Sequence, residues 1–159
     1  MRERTLNSEQ FSEMMHREFA SGRGISLVVT GTSMEPLLRH LRDKVVLVKP
    51  ENGYKPRKGD VVLFHRADGK YVMHRIVGCV GEHEYIINGD AQSWTERIRG
   101  DQIDAVAAVF VRKGRRFSRE NNLYRLYILI WDFSRPFRMY IFKTVDAIKS
   151  RIKREKKND

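Results

Sequence analysis

The chain has 159 residues, 41% hydrophobic and 32% charged, with 4 Pro and 11 Gly, which suits one globular domain with its own core and excludes a fibrous or low-complexity protein. A single cysteine, Cys79, excludes an intrachain disulfide and a zinc site built from several thiolates. The net charge of +11 is uneven: residues 112–159 hold 15 Lys and Arg against 5 Asp and Glu, a balance of +10, which leaves +1 for residues 1–111 and directs any anionic partner to the C-terminal third.

Residues 1–24 alternate charged and apolar side chains and lack the continuous apolar run of an export signal, so a cytoplasmic chain, peripheral at a membrane, is expected. Asn7 or Ser8 caps a first helix, Gln10 completes a capping box, and Phe11, Met14, Met15 and Phe19 follow at helical spacing. The helix ends at Ser21-Gly22-Arg23-Gly24, and residues 25–30 form a strand rich in β-branched side chains. Short strands then follow at 45–49, 61–65, 70–77, 84–88 and 103–111. Between them, Lys58-Gly59-Asp60, Asp68-Gly69 and Asn88-Gly89-Asp90 have the chemistry of tight turns. The pattern predicts a mainly β, α+β domain.

From residue 118 onward aromatic side chains (Tyr124, Tyr127, Trp131, Phe133, Phe137, Tyr140, Phe142) interleave with arginines, and a basic run occupies 149–157. Helix is expected on both sides of Pro136, which ends or kinks it. Arg125, Asp132, Arg135, Pro136 and Arg138 interrupt the apolar stretch 123–142, so it does not read as a spanning helix. An amphipathic segment meeting an anionic membrane surface is expected, ahead of nucleic acid. The division is thus an N-terminal helix at 1–24, a β domain at 25–117 and a basic helical tail at 118–159.

The chemistry centres on Val28-Val29-Thr30-Gly31-Thr32-Ser33-Met34-Glu35-Pro36, where an apolar strand delivers a serine at its end. A nucleophilic hydroxyl needs a rigid mount, a base and nearby N–H donors for the oxyanion. His74 in Tyr71-Val72-Met73-His74-Arg75-Ile76-Val77-Gly78 stands within a long alternating strand pattern and is the candidate base. Imidazole is mostly neutral near pH 7 without help, but it needs an orienting acid. For the oxyanion, the Ser33 N–H with a Thr32 or Thr30 hydroxyl is the candidate set. If the strand at 25–30 has an open edge, Val28, Val29 and Thr30 can bind a peptide by strand addition.

His65 and His83 lack the spacing of a metal box, and no metal or other cofactor is expected. Asp43 and Asp60 precede strands and read as backbone caps, and His16 and His40 as surface residues.

In order, Ser33-Met34-Glu35-Pro36, Lys58-Gly59-Asp60-Val61-Val62, His74-Arg75-Ile76-Val77-Gly78 and Asn88-Gly89-Asp90 resemble the signal peptidase I family and the related LexA-type repressors, over about residues 25–111. Histidine where most bacterial members carry lysine resembles the branch of the endoplasmic reticulum, archaea and some sporulating bacteria. Thr32, between Gly31 and Ser33, is closer to the LexA-type spacing. The resemblance implies a twisted β-sheet peptidase domain and a serine endopeptidase that cuts a peptide or leader after a small residue. The acid it implies is Asp90 at the turn or Glu96 six residues beyond. The alternatives are a domain that cuts only itself or has lost catalysis, and a binding module using the basic tail.

Overall fold

The computed structural model describes residues 7–51, 54–134 and Phe137. Eight antiparallel strands form one sheet curled into a half-barrel, with two helices. In chain order these are α1 (Ser8–Ala20), β1 (Ile25–Val28), β2 (Lys44–Val48), β3 (Val61–His65), β4 (Tyr71–Val80), β5 (Glu84–Asn88), β6 (Glu96–Arg99), β7 (Ile103–Arg112), β8 (Arg115–Ser118) and α2 (Asn122–Phe133).

The expected capping box starts α1: Gln10 N–H donates to Asn7 Oδ1 at 2.8 Å, and Asn7 N–H donates to Gln10 Oε1 at 3.2 Å. Of the helix's side chains Met15 is buried, while Phe11 and Phe19 pack partly on the same core.

The strands run β1-β2-β7-β3-β4-β5-β6 across the sheet, so β1 and β6 are its edges. The long β7 carries β2 on one side, and on the other β3 along its first half and β8 along its second. Two strands were not anticipated: three of the four residues of β6 and two of the four of β8 are charged. In β6 Ile98 is the one apolar residue, too little hydrophobic alternation to read as a strand. β8 returns through Lys113 (φ 49°) and Gly114 (φ 79°), a left-handed pair of the kind a two-residue hairpin needs, without the Asn or Asp that signals one.

Alternation along the strands splits the core between two faces. Val61, Leu63, Ala105 and Ala107 join Met34, Leu37, Leu38, Phe110 and Tyr124 in one cluster. Val62, Phe64 and Val106 join Ile76, Tyr85, Ile87 and Ile98 in the other. Covering both faces explains why Val61 to Phe64 are all buried. Residue 118, where the basic tail was expected to begin, is the last residue of β8, and α2 beyond it contributes Tyr124 to the first cluster. The helix expected after Pro136 and the basic run 149–157 lie outside the described residues. Among the described residues no helix is long and apolar enough to cross a membrane.

Candidate functional site

Ser33 lies in the loop from β1 to β2, and the three apolar residues that follow make this loop rigid. Met34, Leu37 and Leu38 are all deeply buried. Leu38 N–H donates to Met34 C=O at 2.9 Å, and Gly31 N–H donates to His40 Nδ1 at 2.9 Å. From the other side Ala91 N–H donates to Ser33 C=O at 2.8 Å. A Cβ at Gly89 would stand 2.8 Å from that same carbonyl oxygen, so only glycine admits the Ser33 main chain this close to the turn after β5.

His74 lies in β4 opposite Val62 of β3, on the face of the second cluster, and is 2% exposed. Its ring centroid is 6.1 Å from that of Phe64 and 6.2 Å from that of Trp94, which meets it edge-on. Glu96, at the start of β6, brings Oε1 to 3.4 Å from His74 Nδ1. Arg66 grips the same carboxylate with Nε at 2.9 Å and Nη2 at 2.7 Å, and its guanidinium lies 5.8 Å from the centre of the Trp94 ring. His74 Nδ1 is buried and has no hydrogen-bond partner among the described residues, so the Glu96 contact is an electrostatic one.

Burial pushes the His74 imidazole below its ordinary value of 6.5; Glu96 opposes this by favouring the charged ring, and Arg66 reinforces it. The unfolded chain therefore takes up this proton first as pH falls. The resulting stability is full above pH 6.5, declines as pH drops toward the folded value, and levels off below it. An NMR titration of the His74 ring is expected to give a midpoint under 6.5, and Glu96→Gln is expected to lower it further. A midpoint above 6.5 would mean that Glu96 outweighs burial.

Of the two candidate acids, Asp90 is engaged elsewhere. Its carboxylate accepts from Arg75 Nε at 2.8 Å and Nη2 at 2.7 Å, and from Tyr127 Oη at 3.3 Å. Arg75 Nη1 also donates to Gly59 C=O at 3.0 Å and to Tyr124 Oη at 2.8 Å. Burial works against the guanidinium charge, but Asp90 outweighs it and holds Arg75 above its ordinary range. Geometry thus brings Glu96 to the histidine and gives Asp90 to the arginine beside it.

Arg75, next to His74, pairs across the strands with Asn88, the residue before Gly89. Ser33 is therefore fastened to the turn leaving the strand that neighbours His74. Asn88 itself donates to the carbonyls of Gln92 and Trp94. A cavity of about 480 Å³ has Ser33, Val28, Val29, Thr30, Val72 and Met73 among its lining residues. Among the described residues no hydrogen bond joins Ser33 Oγ to the His74 ring. Thr30 and Thr32 are exposed beside the serine.

Val29 spends its N–H on Asp43 C=O (2.9 Å) and its C=O on Leu41 N–H (2.8 Å). By the alternation of an antiparallel ladder, Val28 and Thr30 turn their main-chain groups the other way, to the edge of the sheet where β1 has no neighbouring strand.

The remaining candidates resolve as structural groups. His65 Nδ1 lies 2.8 Å from Asp104, and His83 is exposed. Among the described residues no group of three His, Cys, Asp or Glu could hold a metal ion. Asp43 accepts from the N–H groups of Arg39 and Lys113, and Asp60 from Arg57 N–H and Tyr54 Oη. Reading the sequence missed Arg66 and Trp94 around His74 and the hold of His40 on Gly31. Arg66 precedes a turn, Trp94 sits in a loop and His40 lies nine residues from its partner, so no local periodicity marks them. No protein-family model matches this chain, and no curated protein matches it.

Proposed function

We propose that the chain is a serine endopeptidase of the signal peptidase type, with Ser33 as nucleophile, His74 as general base and then acid, and Glu96 as the group that orients the imidazole. The observation that carries this reading is the His74, Glu96 and Arg66 array. A buried strand histidine with a depressed pKa faces a carboxylate that a bidentate arginine holds in place. Such an imidazole is neutral at pH 7 and ready to accept a proton, and the carboxylate stabilises the imidazolium that forms.

Glu96 beside Nδ1 favours the tautomer with its proton on that nitrogen and leaves Nε2 to take the proton of Ser33 Oγ. Oγ then bonds to the substrate carbonyl carbon. The C–N bond breaks as His74 returns the proton to the leaving amine, so the C-terminal fragment departs first. Water, deprotonated by His74, hydrolyses the ester on Ser33. The Ser33 hydroxyl and the His74 ring share no hydrogen bond in the free protein, so this step requires that the two be brought within reach as substrate is seated. The free edge at Val28 and Thr30 suits an extended peptide added as a strand, with the cavity beside Ser33 receiving its side chains. No cofactor takes part.

Purified protein incubated with a serine-directed acylating probe and, separately, with a peptide library tests the proposal. The expected result is one adduct on Ser33 and cleavage after small residues. Glu96→Gln is expected to keep the fold and lose about a hundredfold or more in kcat/KM. An unlabelled Ser33 together with uncut peptides would leave a domain retained for binding.

A further inference from the structure

The two faces of α2 have different partners. Tyr124 is buried against the body, and Ile128 Cγ2 and Cδ1 lie 3.6 and 3.5 Å from where a Cβ on Gly59 would stand. Leu123, Leu126, Ile130 and Phe133 recur at intervals of three and four along the outer face, with Leu129 beside them. They are 77%, 52%, 59%, 82% and 69% exposed in that order, so the helix turns a stripe of large apolar side chains to solvent. Solvating such a stripe is unfavourable, and patches of this kind mark interaction sites.

Beside the stripe, a groove of about 460 Å³ is lined by Arg57, Lys58, Arg119 and Arg125 together with Ile128 and Leu129, and Glu120 is its one acidic lining residue. Lys58 pairs with Asp132 at 2.5 Å, and Arg119 pairs with Asp60. Arg57 and Arg125 form no ion pair among the described residues. Exposed Lys113, Arg115 and Arg116 follow in the β7 to β8 hairpin, within the segment that carries +10 of the net charge.

From this juxtaposition we infer that the outer face of α2 and the adjoining arginine groove form a docking surface for an anionic phospholipid bilayer. Leu123, Leu126, Leu129, Ile130 and Phe133 enter the acyl boundary, and Arg57 and Arg125 meet headgroup phosphates. A nucleic acid would use the cations but has no need of the aliphatic stripe, whereas a second copy would bring like charge against like charge. The bilayer is the partner that satisfies both halves of the surface. The inner face is tied to the site, because Arg75 donates to Tyr124 Oη and Tyr127 Oη donates to Asp90 in the turn that holds Ser33. Docking through α2 thus fixes the orientation of the Ser33 cavity relative to the membrane. The inference does not depend on catalysis.

Cosedimentation of the full chain with vesicles tests it. Binding is expected to vesicles containing phosphatidylglycerol and not to pure phosphatidylcholine. Leu126→Glu/Phe133→Glu is expected to weaken binding about tenfold or more, and Arg57→Glu/Arg125→Glu similarly. All four side chains are exposed, so thermal unfolding is expected to match the parent protein and to exclude a folding defect. No binding to anionic vesicles, or full binding by the Leu126→Glu/Phe133→Glu variant, overturns the inference. So does a dimer in sedimentation equilibrium that this variant dissociates, which would give the face to a second copy. A gel shift with RNA or DNA that exceeds the vesicle affinity and ignores the apolar substitutions would likewise overturn it.

Discussion

Under the proposed mechanism, replacing Ser33 by alanine is expected to lower peptide cleavage roughly 10⁴- to 10⁶-fold while leaving the unfolding midpoint unchanged, because the substitution removes the proposed attacking oxygen and little else. The loop does not depend on that hydroxyl: Met34, Leu37 and Leu38 hold it from inside, and Ala91 and His40 hold its main chain. His74→Ala is expected to cost a similar factor. The double variant should be little worse than either single one, since nucleophile and base act as a unit. Measured kcat/KM values that multiply, or a Ser33→Ala protein that still cuts, would remove the proposed mechanism. An additional check separates chemistry from collapse: the acylating probe should label the Glu96→Gln protein slowly and the Ser33→Ala protein not at all.

The largest stability effect is expected at Asp90. Asp90→Ala strips a buried guanidinium of its counter-ion, and breaking such a pair costs about 3–5 kcal/mol. Arg75 keeps Gly59 C=O and Tyr124 Oη, but these neutral acceptors do not balance its charge. For a domain of this size the midpoint should fall on the order of 10 °C in a thermal melt. Replacing both partners, as in Arg75→Met/Asp90→Leu, should recover part of the loss, because no charge is then left in the interior. The substitution should also loosen the turn whose Ala91 N–H holds Ser33. A change of less than about 1 kcal/mol would show that the guanidinium reaches water and that the pair is not a structural support.

The regular elements were legible wherever a local rule governs them. The Asn7 cap and Gln10 box announce α1, and the strands at 61–65 and 84–88 coincide with β3 and β5. β1 and β4 were read to within a few residues, their ends being set by pairing partners and not by their own side chains. β6 and β8 were invisible because each has one large apolar residue in four, Ile98 and Phe117, which leaves no hydrophobic alternation to read. α2 was readable as a helix, yet its composition of aromatics and arginines could not say that Tyr124 goes inside while Leu123 stays out.

Ser33 and His74 stand out as candidates by residue type and by their strand context, properties each carries in its own neighbourhood of the chain. The partners of the histidine could not be found that way. Asp90 and Glu96 are equivalent as sequence, two carboxylates six residues apart after the same turn. They are separated only by the pairing of β5 with both β4 and β6, which spends one on Arg75 and brings the other to His74 with Arg66 behind it. Local periodicity and turn chemistry act over a few residues and are written along the chain. Charge pairing in the interior joins residues fifteen to thirty positions apart, through a register that exists only once the sheet has curled.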